Sequence, residues 1–188
     1  MNAMDAIRER RSIRKYTDKP VEKEKLEALV EFGFLAPSGS NAQNWFFTVI
    51  TDEALLGRLE QEGKEAVIAG AGEFYQNLAA QPGYKLLHGA PCFIIASYDP
   101  AMNVGAVDCA LAIENICLAA TEMGLGTCIN GLINYMLNKK DKEDLRAEFG
   151  IPAGFLCASG ISIGYPAETP APRPRDRSKV GYLLKSKD

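Results

Sequence analysis

The feature that most constrains the fold is a long, mainly apolar run over residues 104–123. It is interrupted by Asp108, Glu114, Asn115 and Glu122. These polar side chains argue against a membrane span, because a bilayer core requires an almost unbroken apolar stretch. The run has the length of a helix, and a Gly-Leu-Gly stop signal follows it at 124–126. We therefore expect a long central helix buried among other elements.

Hydrophobic periodicity and turn signals define the elements around this helix. Helices are predicted over residues 3–11, 22–35, 53–82 (with breaks at Gly57, Gly63, Gly70 and Gly72), 104–123 and 139–149, and strands over 45–51, 92–98, 127–133 and 155–163. Leu26, Leu29, Val30 and Phe34 form the predicted apolar face of the second helix. The strands do not alternate regularly with helices, which favours an α+β fold. A length of 188 residues predicts one domain over residues 1–188.

Positive charge is concentrated at the two ends of the chain. Residues 8–15 and 173–179 together contain nine of the 21 lysines and arginines, although the net charge is −3. This distribution indicates a local anion site and disfavours a nucleic-acid-binding protein, which would need a broad basic face. A solvated basic face on a short helix remains the alternative interpretation of the first cluster. The second cluster lies in a proline-rich segment, residues 166–178, which is predicted to be an extended arm.

The five cysteines lie in apolar segments and form no Cys-x-x-Cys pair. They predict buried, reduced thiols, and no metal site is expected. His88 is the single histidine and is expected at the start of a buried strand rather than in a pocket. The N-terminus has no apolar signal-peptide core, so a cytoplasmic location is predicted.

Two further motifs consist of small and polar residues. The first is Ala-Pro-Ser-Gly-Ser-Asn-Ala-Gln-Asn-Trp at 36–45, and the second is Gly-Leu-Gly-Thr-Cys-Ile-Asn-Gly at 124–131. Taken alone, the first is more typical of a turn between a helix and a strand than of a ligand site. The second lacks the third glycine and the preceding strand of a dinucleotide-binding fingerprint, so a Rossmann fold is rejected.

In combination, these motifs resemble the nitroreductase family of flavoenzymes. The resemblance rests on Arg-Arg-Ser-Ile-Arg at 10–14, the motif at 36–45, the motif at 124–131 and Arg-Pro-Arg-Asp-Arg at 173–177, in that order. It implies an intertwined homodimer with a central mixed or antiparallel sheet surrounded by helices, and FMN at the subunit interface. It also implies a ping-pong reaction in which NADH or NADPH passes a hydride to FMN and an acceptor such as a nitroaromatic or a quinone then takes it. No catalytic acid or base from the protein is expected.

The resemblance also assigns roles to individual residues. The FMN phosphate and its surroundings would be held by Arg10, Arg11, Ser12, Arg14, Arg175 and Arg177, with Arg173 a weaker candidate. The partner subunit would supply Pro37, Ser38, Gly39 and Asn41 to the flavin ring, and the main chain at Ile129, Asn130 and Gly131 would face the flavin N5. Lys85 would lie near flavin N1 and O2, or else be an ordinary surface lysine. The arm 166–188 would pack against the partner or the phosphate.

Three positions depart from the family pattern, and the region over the pocket stays open to two interpretations. Asn44, Pro82 and Asn130 stand where many members have other residues, so no ligand role is expected for residue 82. Phe74, Tyr75 and Tyr84 are candidates for a short substrate lid, although ordinary helix packing is the favoured explanation for two of the three. Two functions compete with the reductase: a non-catalytic flavin-binding or redox-sensing protein, and a specialised reductase such as a dehalogenase.

Overall fold

The computed structural model describes residues 2–183, and it forms an α+β fold. The helices are α1 (Ala3–Glu9), α2 (Lys23–Phe34), α3 (Glu53–Gly70), α4 (Glu73–Ala79), α5 (Gly105–Glu122), α6 (Asn134–Leu137) and α7 (Glu143–Glu148). The strands are β1 (Phe46–Ile50), β2 (Cys92–Tyr98), β3 (Gly126–Asn130) and β4 (Leu156–Gly164). Short 3₁₀ helices cover Gly39–Asn41 and Gly131–Ile133. No helix within residues 2–183 is long and apolar enough to cross a membrane.

The sheet has the strand order β1-β2-β4-β3, and each neighbouring pair is antiparallel. Strand β2 lies inside the sheet, and its residues up to Ser97 are buried on both faces, as the sequence predicted. Helices α2 and α5 cover one face, where Ile94 joins a core with Leu29 and Ile116. Helix α3 and the short helix α6 cover the other face, where Phe93 and Ile95 join the second core. Successive β2 side chains enter opposite cores because strand residues alternate between the two faces.

Several predicted boundaries were wrong, and each has a local cause. Helix α1 ends at Glu9 rather than residue 11, because the chain beyond it runs extended along β3. Helix α3 continues through Gly57 and Gly63, since helix packing outweighs the propensity cost of glycine. The predicted helix over 139–149 shortens to α7, and α6 was not predicted. Phe34 is 46% exposed, so the apolar face of α2 is narrower than expected.

The five cysteines are free and buried, as predicted. Burial raises the pKa of Cys92 and of Cys109 to about 12, with Asp108 adding to the effect on Cys109. Burial also raises the pKa of Cys117 to about 11. These thiols are therefore protonated at neutral pH, and a protonated thiol is a poor nucleophile.

Gly160 in β4 allows a large aromatic side chain to fill the second core. A Cβ atom at this position would lie 2.1 Å from Cζ of Phe93, which is fully buried. Real Cβ atoms do not approach so closely, so either the ring or the strand would have to move. Gly57 in α3 is the opposite case, because a Cβ there meets no atom within 4 Å.

These two glycines give a paired stability prediction. We expect Gly160→Ala to lower the free energy of unfolding by about 1–3 kcal/mol through overpacking. Gly57→Ala removes backbone freedom from the unfolded chain and is expected to raise it by about 0.5–1 kcal/mol. Urea unfolding of both variants under identical conditions measures the difference. Equal unfolding midpoints for the two variants would contradict the packing described for Phe93.

Candidate functional site

The first basic cluster lies in an extended segment beside β3. The Ile13 amide donates to the Thr127 carbonyl at 2.9 Å, and Ser12 and Thr127 form a parallel β-bridge. Ile13 is buried against Gly126, where a Cβ atom would lie 2.8 Å from Cγ1 of Ile13. Side chains alternate along an extended segment, so anchoring Ile13 inward turns Ser12 and Arg14 to the other side.

The proline-rich arm lies against this segment and brings the second basic cluster to it. Tyr16 and Pro166 form an antiparallel bridge, and the Ala167 amide donates to the Lys15 carbonyl at 2.9 Å. The Arg14 amide donates to Oε1 of Glu168 at 2.6 Å. The two ends of the chain therefore meet, as the charge distribution predicted.

A cavity of about 210 Å³ lies where the two ends meet. Its lining comprises Arg10, Arg11, Ser12, Arg14, Pro170, Ala171, Arg173 and Arg175. Five guanidinium groups and a hydroxyl thus surround one small space, the donor set that a phosphate group prefers. The register of the arm differs from the expectation in one respect: Arg173 and Arg175 line this cavity, and Arg177 is not among its lining residues.

The arginines keep donors free for a ligand. Nε of Arg10 lies 3.4 Å from Oε1 of Glu114 on α5, which fixes the side chain while leaving its terminal nitrogens available. Arg11 donates from one nitrogen to the carbonyls of Arg8 and Arg10, at 2.6 and 2.8 Å. Because each guanidinium carries five N–H donors, these contacts use only part of the supply. Arg11 is thus tied to the end of α1.

A larger cavity of about 970 Å³ adjoins the first and shares Arg14 and Arg173 with it. Its other lining residues are Phe74, Tyr75, Leu78, Gly83, Tyr84, Lys85, Leu86, His88, Cys128, Ile129, Asn130, Gly131 and Leu132. All three lid candidates therefore lie at this cavity. Phe74 is 72% exposed, and its ring makes an edge contact with Tyr75 at 5.2 Å between centroids.

The segment 84–89, which carries Lys85 and His88, is held by side chains from three elements. The carboxylate of Glu60 on α3 accepts hydrogen bonds from the amides of Leu86 and Leu87. Nδ2 of Asn130 donates to the Leu86 carbonyl at 2.7 Å, and the Ser162 hydroxyl donates to the Leu87 carbonyl at 2.9 Å. The bonds from Asn130 and Ser162 are buried and those to Glu60 are partly buried, and together they fix this wall of the cavity before any ligand arrives.

Two titratable side chains in the wall of the cavity are kept neutral. Burial lowers the pKa of His88, and the nearby Arg14 lowers it further, so the imidazole is neutral at pH 7. Burial likewise raises the pKa of Tyr84 above its usual value. His88 thus lies at the cavity rather than in the buried strand expected for it. It also adopts a left-handed backbone conformation with φ of +60°.

The side chain of Asn130 makes hydrogen bonds within the protein, and Asn130 also lines the larger cavity. Besides its bond to Leu86, its Oδ1 accepts from the Leu132 amide at 3.0 Å and so caps the following 3₁₀ helix. Asn130 is buried, with 6% of the residue exposed. A Cβ added at Gly131 would meet no atom within 4 Å, so a ligand can approach this backbone closely.

The polar loop at 36–43 does not line either cavity of its own chain. Ser40, Asn41 and Gln43 all have positive φ, an uncommon conformation for residues other than glycine. The Gly39 amide donates to Oδ1 of buried Asp108 at 3.1 Å, which ties the loop to the start of α5. Backbone strain of this kind is maintained where surrounding contacts hold it in place.

Comparison with known proteins identifies the family. The sequence model described as the nitroreductase family matches residues 7–165. The chain belongs to the nitroreductase family. An FMN reductase of Bacillus subtilis that acts with NAD(P)H is 30% identical over 175 residues, covering 90% of this chain and 68% of that protein.

Solved structures agree with the family assignment. The crystal structure of a nitroreductase with bound FMN from Desulfitobacterium hafniense has a TM-score of 0.88 and 28% identity, and the match covers 98% of this chain and 100% of that one. A nitroreductase with bound FMN from Bacteroides fragilis has a TM-score of 0.83 and 28% identity over the same shares of the two chains. The α+β fold predicted for this family is thereby confirmed.

Sequence reasoning missed two kinds of contributor to the candidate site. Glu60, Glu168 and Ser162 act on the main chain from distant elements, and no local motif marks them. His88 was missed because its apolar neighbours resemble a strand. The run Lys-Leu-Leu-His-Gly at 85–89 does carry a usable signal, since a glycine beside a polar residue marks a turn.

Asn130 provides a direct test of how the cavity wall is held. Asn130→Ala leaves the buried Leu86 carbonyl and the Leu132 amide without their partner, and each unpaired group costs about 1–3 kcal/mol. We therefore expect the free energy of unfolding, measured in urea, to fall by about 2 kcal/mol or more. The exposed Asn103→Ala serves as the matched control, with an expected change of no more than about 0.5 kcal/mol. A loss no larger than that of the control would contradict the buried role of this amide.

Proposed function

We propose that this protein is an FMN-dependent oxidoreductase that uses NADH or NADPH to reduce nitroaromatic, quinone or related acceptors. The observation that carries the proposal is the junction of the two cavities at Arg14 and Arg173. A small space lined by guanidinium groups continues there into a larger space lined by aromatic rings and main chain. This pairing fits a cofactor with a phosphate at one end and a flat polar ring at the other. The relatives named as FMN reductases and the FMN-bound nitroreductase structures support it.

The small cavity suits the phosphate. A phosphate monoester carries close to two negative charges at neutral pH, and partial burial of such an anion requires several charged donors. Arg10, Ser12 and Arg14 come from one end of the chain, and Arg173 and Arg175 come from the other. Arg177 remains a candidate only for longer-range attraction.

The large cavity suits the ring. When bound, FMN would supply the hydride chemistry, taking a hydride from NAD(P)H at N5 and delivering it to the acceptor. The main chain at Asn130 and Gly131 would offer an N–H to the ring, since the Asn130 side chain is occupied elsewhere. Lys85 would place a positive charge on the cavity wall and so favour the reduced, more negative state of the cofactor.

The same opening would serve the nicotinamide and the acceptor in turn. Phe74 and Tyr75 are 72% and 44% exposed, so their rings are accessible for stacking on a planar substrate. A single shared position requires one substrate to leave before the other binds, which is a ping-pong sequence. The neutral imidazole of His88 is not in a state to act as a charged acid, and hydride transfer at the cofactor does not call for one.

We further propose that two copies of the chain form a homodimer and share each site. Val107 and Leu111 on α5 are 60% and 42% exposed and lie one helical turn apart, and Leu35 is 74% exposed. The loop at 36–43 sits beside this apolar face, since a Cβ at Gly39 would lie 2.7 Å from Val104. Pro37, Ser38, Gly39 and Asn41 would therefore reach the cavity of a second copy, and the arm would pack on the partner as well.

The oxidoreductase proposal is tested by anaerobic mixing of the purified FMN-bound protein with NADH and with NADPH. We expect at least one nucleotide to bleach the flavin absorbance within the turnover time and the acceptor to restore it. Lys85→Met should slow reduction about tenfold while FMN stays bound, because the stabilising charge is lost. Lys140→Met, at an exposed position away from the cavity, is the matched control. Bound FMN that neither nucleotide reduces would favour the non-catalytic, redox-sensing alternative.

The dimer proposal is tested by placing a charge on the apolar face. Val107→Glu should yield a monomer in sedimentation and weaken FMN binding at least tenfold, since burying an unpaired carboxylate is costly. Ile68→Glu, at a residue on α3 that is 41% exposed, should leave both the dimer and FMN binding intact. A monomeric Val107→Glu protein that holds FMN as tightly as the wild type would contradict a shared site.

A further inference from the structure

We propose that Glu168 is a positioning residue that holds the proline-rich arm in register, so that arginines from both ends of the chain face one phosphate. The inference rests on the proposed function, because it concerns the phosphate end of the FMN site. It assigns a role in anion binding to a residue that itself carries negative charge.

The position of Glu168 in the arm explains why a side chain is needed there. Before it, the arm pairs through its main chain, with Thr17 donating to Tyr165 and Ala167 donating to Lys15, both at 2.9 Å. After it come Pro170, Pro172 and Pro174. These prolines alternate with the residues that are in phase with Ala167, so they do not themselves end the ladder. The ladder ends because the next partner, Ile13, already donates its amide to Thr127 at 2.9 Å. The bond from the Arg14 amide to Glu168 is the last hydrogen bond within residues 2–183 that ties the arm to the segment 10–14.

The same bond restrains Arg14, a residue that both cavities share. Arg14 lines both cavities, and the bond acts on its main chain, 2.6 Å from the carboxylate oxygen. Arg173 also lines both cavities and lies five residues beyond Glu168. Holding Arg14 and the start of the arm together therefore sets the distance between the guanidinium groups that one phosphate must bridge. A charged acceptor makes a stronger hydrogen bond than a neutral one and restrains the arm more firmly.

Two effects of Glu168 on phosphate binding oppose each other. The hydrogen bond holds the arginines in place and favours binding. The negative charge lies next to the main chain of Arg14, and it repels a phosphate dianion. A competing explanation is that Glu168 only balances the positive charge of the cluster. A charge-balancing role depends only on the negative charge at residue 168. A positioning role depends on a side chain long enough for its oxygen to accept the hydrogen bond from the Arg14 amide.

Three substitutions distinguish the effect of side-chain length from the effect of charge at residue 168. Glu168→Gln keeps the acceptor and loses the charge, Glu168→Asp keeps the charge and shortens the side chain, and Glu168→Ala loses both. Asp176→Asn is the control, because Asp176 lies in the arm and, among residues 2–183, its partners are the nearby Ser178 and Lys179. The dissociation constants of FMN and of riboflavin are measured by fluorescence quenching on the apoprotein of each variant. Riboflavin lacks the phosphate and reports on the rest of the site.

Positioning predicts that Glu168→Asp and Glu168→Ala each weaken FMN binding about tenfold, the loss expected for a charged hydrogen bond. Glu168→Gln should bind FMN as tightly as the wild type or more tightly, and riboflavin affinity should stay within about twofold in every variant. The Asp176→Asn control should also bind FMN no more weakly than the wild type.

Other outcomes would contradict a positioning role for Glu168. If Glu168→Gln and Glu168→Ala behave alike while Glu168→Asp matches the wild type, the residue acts by charge. If riboflavin affinity falls in step with FMN affinity, its effect is on general stability. If the wild type binds FMN and none of the three variants differs from it, the positioning role of Glu168 is contradicted and the proposed function stands. If the wild type binds no FMN, the proposed function fails, and this role fails with it.

Discussion

The site depends on a short antiparallel contact between the segment that follows the first helix and the segment that leaves the last strand. Thr17 bonds to Tyr165 and Ala167 to Lys15, while Ile13 on the same segment bonds to Thr127 of β3. The Tyr16 hydroxyl lies 2.8 and 3.2 Å from the carbonyls of Ile13 and Ser162, which secures the middle of the contact. Without it, neither basic cluster would face the other, and the two cavities would not meet.

This contact concentrates positive charge in a protein whose net charge is −3. Five guanidinium groups around a small space repel one another, and two carboxylates moderate that repulsion from different directions. Glu114 approaches Arg10 from α5, and Glu168 approaches the main chain of Arg14 from the arm. Neither carboxylate uses up the arginine donors, so the cluster is stabilised while its capacity to bind an anion is kept.

The parts of the fold set by local pattern were predictable, and those set by distant contacts were not. The β2 strand and the α5 helix could be read from sequence, because each forms a continuous apolar segment of the appropriate length. The extended form of residues 10–14 could not, since it depends on the close approach that Gly126 allows to Ile13. This extended form places the side chains of Ser12 and Arg14 on the same side of the segment. In a helix, the two side chains would have pointed about 200° apart.

The candidate site likewise combines features that local motifs predicted with features that depend on contacts between distant segments. The motifs predicted the arginines that line the small cavity, but not the register of the arm, because that register is set by main-chain pairing between residues about 150 positions apart. Ala167 pairs with Lys15, and Glu168 accepts a hydrogen bond from the Arg14 amide. In this register Arg173 and Arg175, rather than Arg175 and Arg177, line the small cavity. The end of the arm, residues 184–188, lies outside the described residues.

Drawing the anion site from both ends of the chain has a consequence for the timing of its assembly. During synthesis, the segment 10–14 leaves the ribosome first, and its partner arginines follow more than 150 residues later. The sheet and both cores lie between these two points and can form before the last arginine is made. An anion-binding cofactor would therefore find its complete site only after residues 173–175 have been made. The order of residues along the chain thus places loading with the cofactor after synthesis of the sheet and both cores.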